Sequence, residues 1–149
     1  MGGADPAQAL EVGRRCMRLG WWTGGLLAAA TIGLSPALPY AFSSDPAVRH
    51  QALIALVVCG AGQPLAAAAF VLDGLLLGAG DYAALARSMA LALLAYAPLA
   101  ALTVAVPSIG IAGVWCALDV WLGARALLLA RRWASGAWRP APSLALVGG

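Results

Sequence analysis

Long uncharged stretches dominate this chain and decide what it can fold into. Leu19 to Ser44 holds no charged residue, Gln51 to Gly80 holds only Asp73, and Ser88 to Leu118 holds none. A helix of about 20 apolar residues crosses the hydrocarbon core of a bilayer, and in lipid every backbone N–H and C=O must find its partner within the segment or in a closed barrel. Runs of this length predict spanning helices. Composition agrees, because 62% of the 149 residues are hydrophobic and only 10% are charged, outside the range of a soluble domain.

Pro107, Ser108 and Gly110 divide the third run into a helix, a tight turn and the start of another helix, which carries Asp119 and Arg125 and ends at Arg131 and Arg132. The sequence therefore predicts an all-α integral membrane protein with four transmembrane helices, at about 19–43, 51–79, 83–106 and 109–131. A cytoplasmic segment with a short helix, residues 1–18, precedes this 19–132 region, and a flexible cytoplasmic tail, residues 133–149, follows it. Asp5-Pro6 and Asp45-Pro46 each place a capping carboxylate before a proline suited to a first helical turn. An interfacial helix is expected around Val48. Asp81, after Gly-Ala-Gly, is expected to cap the third span once Gly80 has ended the second.

All nine basic residues are Arg, and most sit in two terminal groups: Arg14, Arg15 and Arg18 before the first span, Arg131, Arg132 and Arg139 after the fourth. The loop between the first two spans holds Arg49 against Asp45. By the positive-inside rule this predicts a multi-pass protein of the cell inner (plasma) membrane with both termini cytoplasmic. Nucleic acid is not an expected partner, since the arginines form no single basic face. Arg14-Arg15 ahead of an apolar run also resembles a twin-arginine export signal, but the run is longer than a signal's core and lacks a small-residue cleavage site. Trp21 and Trp22 read instead as interfacial anchors.

Cys16, Cys59 and Cys116 are far apart and accompany only one histidine, His50, so no metal site, disulfide framework or cofactor is expected. Nor is an enzyme. Two embedded aspartates could suggest an intramembrane aspartyl protease, but no GxGD or YD pair occurs, and no nucleophile arrangement or phosphate loop appears.

The embedded polar residues hold the functional information. A carboxylate at the bilayer centre costs about 2.5–3.5 kcal/mol on insertion scales, so it pairs, protonates or faces a water-filled cavity. Asp73 shares its helical face with Ala66, Ala69, Phe70, Leu76, Leu77 and Gly80, and Gly74 with Gly78 forms a small-xxx-small pair for close helix approach. It is expected to face protein or water. Pro64 removes one helical hydrogen bond beside Gly60, Gly62 and Gln63, so Gln63, Pro64 and Gly74 are the cavity or kink candidates. Asp119, the second embedded acid, lies among Ala112, Trp115, Cys116, Leu122, Gly123 and Ala126. Arg125, six positions later, is not expected to pair with Asp119 and is expected to snorkel to the cytoplasmic surface.

The stretch QPLAAAAFVLDGLLLGAGD, Gln63 to Asp81, resembles the tenth helix and following turn of multidrug and toxic compound extrusion (MATE) transporters of the DinF-like branch. SSDPAV at Ser43 to Val48 resembles the loop after their ninth helix, GIAGVWCALDVWLGAR at Gly110 to Arg125 their twelfth helix, and GGADPAQALEVGRR the link before the ninth. The resemblance covers nearly the whole chain in order and implies helices 9–12 of a twelve-helix transporter with two six-helix lobes. It implies the C-terminal fragment of a cation-coupled efflux antiporter for multidrug or metabolite cargo, with H+ or Na+ as coupling ion and a small organic substrate.

The same resemblance matches Asp73 to a tenth-helix acid that helps bind the cation in sodium-linked members. In DinF-like members, proton coupling is usually placed on an acid of the N-terminal lobe. Asp119 departs from the neutral residue, often Asn, found at its place in the family. The fragment is expected not to transport alone and to need the bilayer plus an N-terminal lobe or companion chain. The alternative is an independent four-helix membrane protein, either an oligomeric small transporter or a non-transporting accessory or scaffold subunit.

Overall fold

The computed structural model describes residues 6–138. Among them the chain is entirely helical, with α1 (Pro6–Leu34), α2 (Leu38–Phe42), α3 (Pro46–Gly78), α4 (Tyr82–Ala105) and α5 (Gly110–Ala134), plus a single 3-10 turn at Pro107–Ile109. Three stretches, Pro46–Gly78, Tyr82–Ala105 and Pro107–Ala134, are long and apolar enough to cross a membrane. In α1 the charges Glu11, Arg14, Arg15 and Arg18 occupy the first half, and the uncharged remainder, Leu19 to Leu34, is about 16 residues long against the roughly 20 of a full span.

Helix boundaries follow local chemistry and depart from the sequence expectations at three places. The expected short N-terminal helix is continuous with the first apolar run in α1, since no residue between them breaks a helix. α1 then stops well before residue 43, because Pro36 disfavours helical backbone at Ser35; the Ser35 hydroxyl donates to the Ile32 carbonyl at 2.7 Å and closes the end. The five-residue α2 follows. The interfacial helix expected around Val48 is instead the first turn of α3, capped by Asp45, whose carboxylate accepts from the Ala47 N–H at 2.8 Å. Asp5 lies outside the described residues, as does the tail from residue 139 onward.

α3 runs unbroken through Pro64. Gly80, at φ 75°, turns the chain after it, and Asp81 caps α4 by accepting from the Ala84 N–H at 3.3 Å, as expected from its sequence. Helices consecutive in sequence are not neighbours throughout. α3 packs against α1 on one side and α5 on the other, α4 packs mainly against α5, and α3 and α4 touch only lightly. α5 is therefore inserted between the two helices that the Gly80 turn connects.

Small residues permit the close approaches. A Cβ on Gly24 of α1 would come within 2.9 Å of the Pro64 backbone and the Ala67 side chain, so glycine lets α1 lie directly on α3. Two buried clusters hold α3 against α5: Ala68, Ala69, Leu122 and Ala126 form one, and Leu72, Leu76 and Leu129 the other, with Met17 of α1 packed against both. Outward-facing side chains such as Leu94 and Val104 are exposed and apolar, the surface expected where lipid or further helices lie.

One end of the bundle is basic. Gly13 of α1 abuts Trp133 at the end of α5, and Arg132 joins the α3–α4 turn at Asp81. This end thus gathers Arg14, Arg15, Arg87 and Arg132, whereas the α2–α3 end has Arg49, whose Nε donates to the Ser43 carbonyl at 2.7 Å. Trp133 and Trp138, both within the segment expected to be a flexible tail, stack on each other with centroids 4.4 Å apart.

Candidate functional site

Asp73 lies near the C-terminal end of α3, one turn before Leu77, and faces α5 because the buried residues Ala69, Leu72 and Leu76 orient that side of the helix inward. Arg125 meets it there. The Arg125 Nη2 donates to the Asp73 Oδ2 at 2.7 Å, with the arginine side chain 8% exposed and the aspartate 20%. The expectation that Arg125 snorkels to the cytoplasmic surface is therefore corrected: α5 is wedged between α3 and α4, and an embedded guanidinium with a carboxylate in reach pairs rather than extends to water. The bond is single. Asp73 Oδ1 and Arg125 Nε are buried with no hydrogen-bond partner among the described residues.

Arg125 also stands over the ring of Trp121, one turn earlier on α5, with its Cζ 5.3 Å from the centroid, a cation–π geometry. The pair forms the polar part of a groove of about 340 Å³, otherwise lined by Leu77 of α3 and Leu85, Ala86 and Met89 of α4. About two turns further toward the basic end, Arg132 Nε donates to Asp81 Oδ2, again at 2.7 Å. The two bridges tie α5 to α3 at Asp73 and to the α3–α4 turn at Asp81.

The arginine hydrogen bond, ahead of the opposing effect of partial burial, holds the Asp81 carboxyl below its ordinary range. Glu11, on the exposed face of α1, is likewise lowered, by hydrogen bonds from Arg15 and Arg14.

The other sequence candidates do not join this site. Asp119 sits against the backbone of Gly62, where a Cβ would overlap its carboxylate. Gly62 and Asp73 are separated by about 16 Å along α3 at 1.5 Å per residue. Gln63 donates weakly from Nε2 to Cys59 Sγ at 3.6 Å. Gln63 and Pro64 both contribute backbone to the contact with Gly24 of α1, on a different side of α3 from the groove. Gly74 is exposed, with nothing near the position its Cβ would occupy. The partner that sequence reasoning missed is Arg125. Its signal was present: Asp73 and Arg125 are opposite charges in separate apolar helices, and embedded charges pair across helices.

The MatE family model matches residues 1–110 of this chain. Among curated proteins, Protein DETOXIFICATION 43 of Arabidopsis thaliana is 36% identical over 137 residues, covering 91% of this chain and 26% of that protein. The chain belongs to the MATE family. Protein DETOXIFICATION 44, chloroplastic, of the same plant is 35% identical over 133 residues, covering 89% of this chain and 24% of its own length. This MATE chain thus spans about a quarter of the length of the curated relatives it matches. No solved structure matches it. Its apolar helices make it a multi-pass membrane protein.

Proposed function

We propose that this chain forms the C-terminal part, helices 9–12, of a cation-coupled MATE efflux antiporter of the DinF-like branch. In this reading Asp73 is the carboxylate linked to the coupling ion, H+ or Na+. The observation that carries it is the position of Asp73, an embedded acid at the wall of a groove between α3, α4 and α5 in a chain of this family. An ionisable group held within a membrane bundle marks an ion or substrate pathway by default. The sequence resemblance of Gln63 to Asp81 to the tenth helix supports the assignment, and the basic end of the bundle supports cytoplasmic termini in the inner membrane. The cargo is a small organic compound, bound in a cavity completed by an N-terminal lobe or companion chain, and the fragment alone does not transport.

Asp119 lies further along the α3–α5 interface and the Gln63–Pro64 segment lies against α1, and both act in packing within this reading. Gly74 is open to an approaching neighbour helix. The test is export of a fluorescent organic cation from membranes holding the native assembly, with Na+ and pH gradients imposed separately. Asp73→Asn is expected to abolish the gradient-dependent part of export. Unchanged gradient dependence in that variant would remove Asp73 from the coupling.

A further inference from the structure

We propose that Arg125 is the resident cation of the Asp73 site: its guanidinium fills the position at the carboxylate that a diffusible cation would take. The inference rests on the reading of Asp73 as the cation-linked acid and specifies what neutralises it. Asp73 then lies in the membrane as half of a neutral pair, and any ion that acts on it must first displace an arginine tethered to the same chain.

Three observations carry this. The guanidinium is held in place by its surroundings: Arg125 is buried, its fork stands over Trp121, and the Asp81–Arg132 bridge anchors the end of α5 at the α3–α4 turn. The rest of the groove is apolar, with Leu77, Leu85, Ala86 and Met89 supplying no side-chain oxygen. A hard cation is held by several oxygens at once, so the described residues offer Na+ one carboxylate already in use. Third, the contact is single, with Oδ1 and Nε left over, which leaves it separable where a two-pronged bond would resist separation. Among the described residues, Arg125 is the one charged side chain lining the groove with Asp73; α1 reaches this level with Met17, packed against the cluster of Leu72, Leu76 and Leu129.

The role assigned to Arg125 is positional, and its test reads the charge state of Asp73 rather than transport. Dicyclohexylcarbodiimide, an apolar reagent, adds to protonated carboxyls within membranes. The native assembly is labelled near neutral pH in Na+ or in choline, and adducts at Asp73 and Asp119 are quantified by mass spectrometry. Asp119 makes no ion pair among the described residues and serves as the internal reference.

Expected is labelling of Asp73 about tenfold slower than of Asp119, unaffected by Na+, and faster by about tenfold in Arg125→Met with Asp119 unchanged. Arg125→Lys, which keeps the charge, is expected to keep Asp73 slow. Equal labelling of the two acids in the unmodified protein, or slowing of Asp73 by Na+, would overturn the proposal. These two readings need no variant, so they decide the matter even where Arg125→Met does not fold. Failure here is separable from failure of the coupling assignment, because labelling requires no export.

Discussion

Arg125 and Asp73 are 52 positions apart in the chain, yet the guanidinium of one donates to the carboxylate of the other at 2.7 Å. The contact exists because α5 returns between α3 and α4, displacing α4 from the helix that precedes it. Removing one partner of a buried pair leaves the other charge uncompensated, a cost larger than the worth of the pair itself.

Arg125→Met is accordingly expected to destabilise the bundle by roughly 2–4 kcal/mol, below the deep-burial figure because Asp73 keeps some access to the groove. Asp73→Leu combined with Arg125→Met is expected to recover most of that loss. Denaturant titration of the purified protein in detergent, run as a double-mutant cycle, checks both; additive single and double effects would deny the coupling.

At the other end of the same interface, Gly62 gives Asp119 its room. Gly62→Leu is expected to cost about 1–3 kcal/mol by forcing α3 and α5 apart, the usual range for overpacking. Asp119→Ala in the same chain should restore part of it, as read from thermal unfolding of the four proteins side by side. A penalty indifferent to residue 119 would mean that the glycine serves some other contact.

The Asp81–Arg132 bridge gives a pH dependence whose sign is fixed by the lowered carboxyl. Below its ordinary value near 3.8 the unfolded chain takes up the proton first, so the bridge stabilises fully above that value. Its contribution falls away as pH drops further, through the folded value. With Arg132 partly exposed, the amount is about 0.5–1 kcal/mol. The stability difference between the unmodified protein and Asp81→Asn should be flat from about pH 5 to 8 and shrink below about pH 4. A difference that grows on acidification would contradict the assignment.

Much of the fold was legible along the chain. Asp45-Pro46 and Gly80-Asp81 announced a helix start and a turn because caps and positive-φ glycines act within a few residues. The end of α1 was harder to see, since hydropathy continues smoothly past Ser35 while Pro36 stops the helix. For the site, sequence singled out Asp73 as an anomaly in lipid-compatible surroundings but gave Arg125 the wrong direction, because intrahelical spacing says nothing about a partner 52 positions away on another helix.

By itself, then, the sequence determined that this protein is helical and embedded in a membrane, since backbone satisfaction in lipid leaves apolar runs of this length little other choice. It also determined where most helices begin and that one acid needs a partner. Only the tertiary structure decided which partner. Helix order in space depends on which small and large side chains interlock: Gly24 on Pro64 and Ala67, and Leu129 against Leu72 and Leu76. That packing places α5 beside α3, and a charge pair across it follows from the position of a helix that local sequence cannot specify.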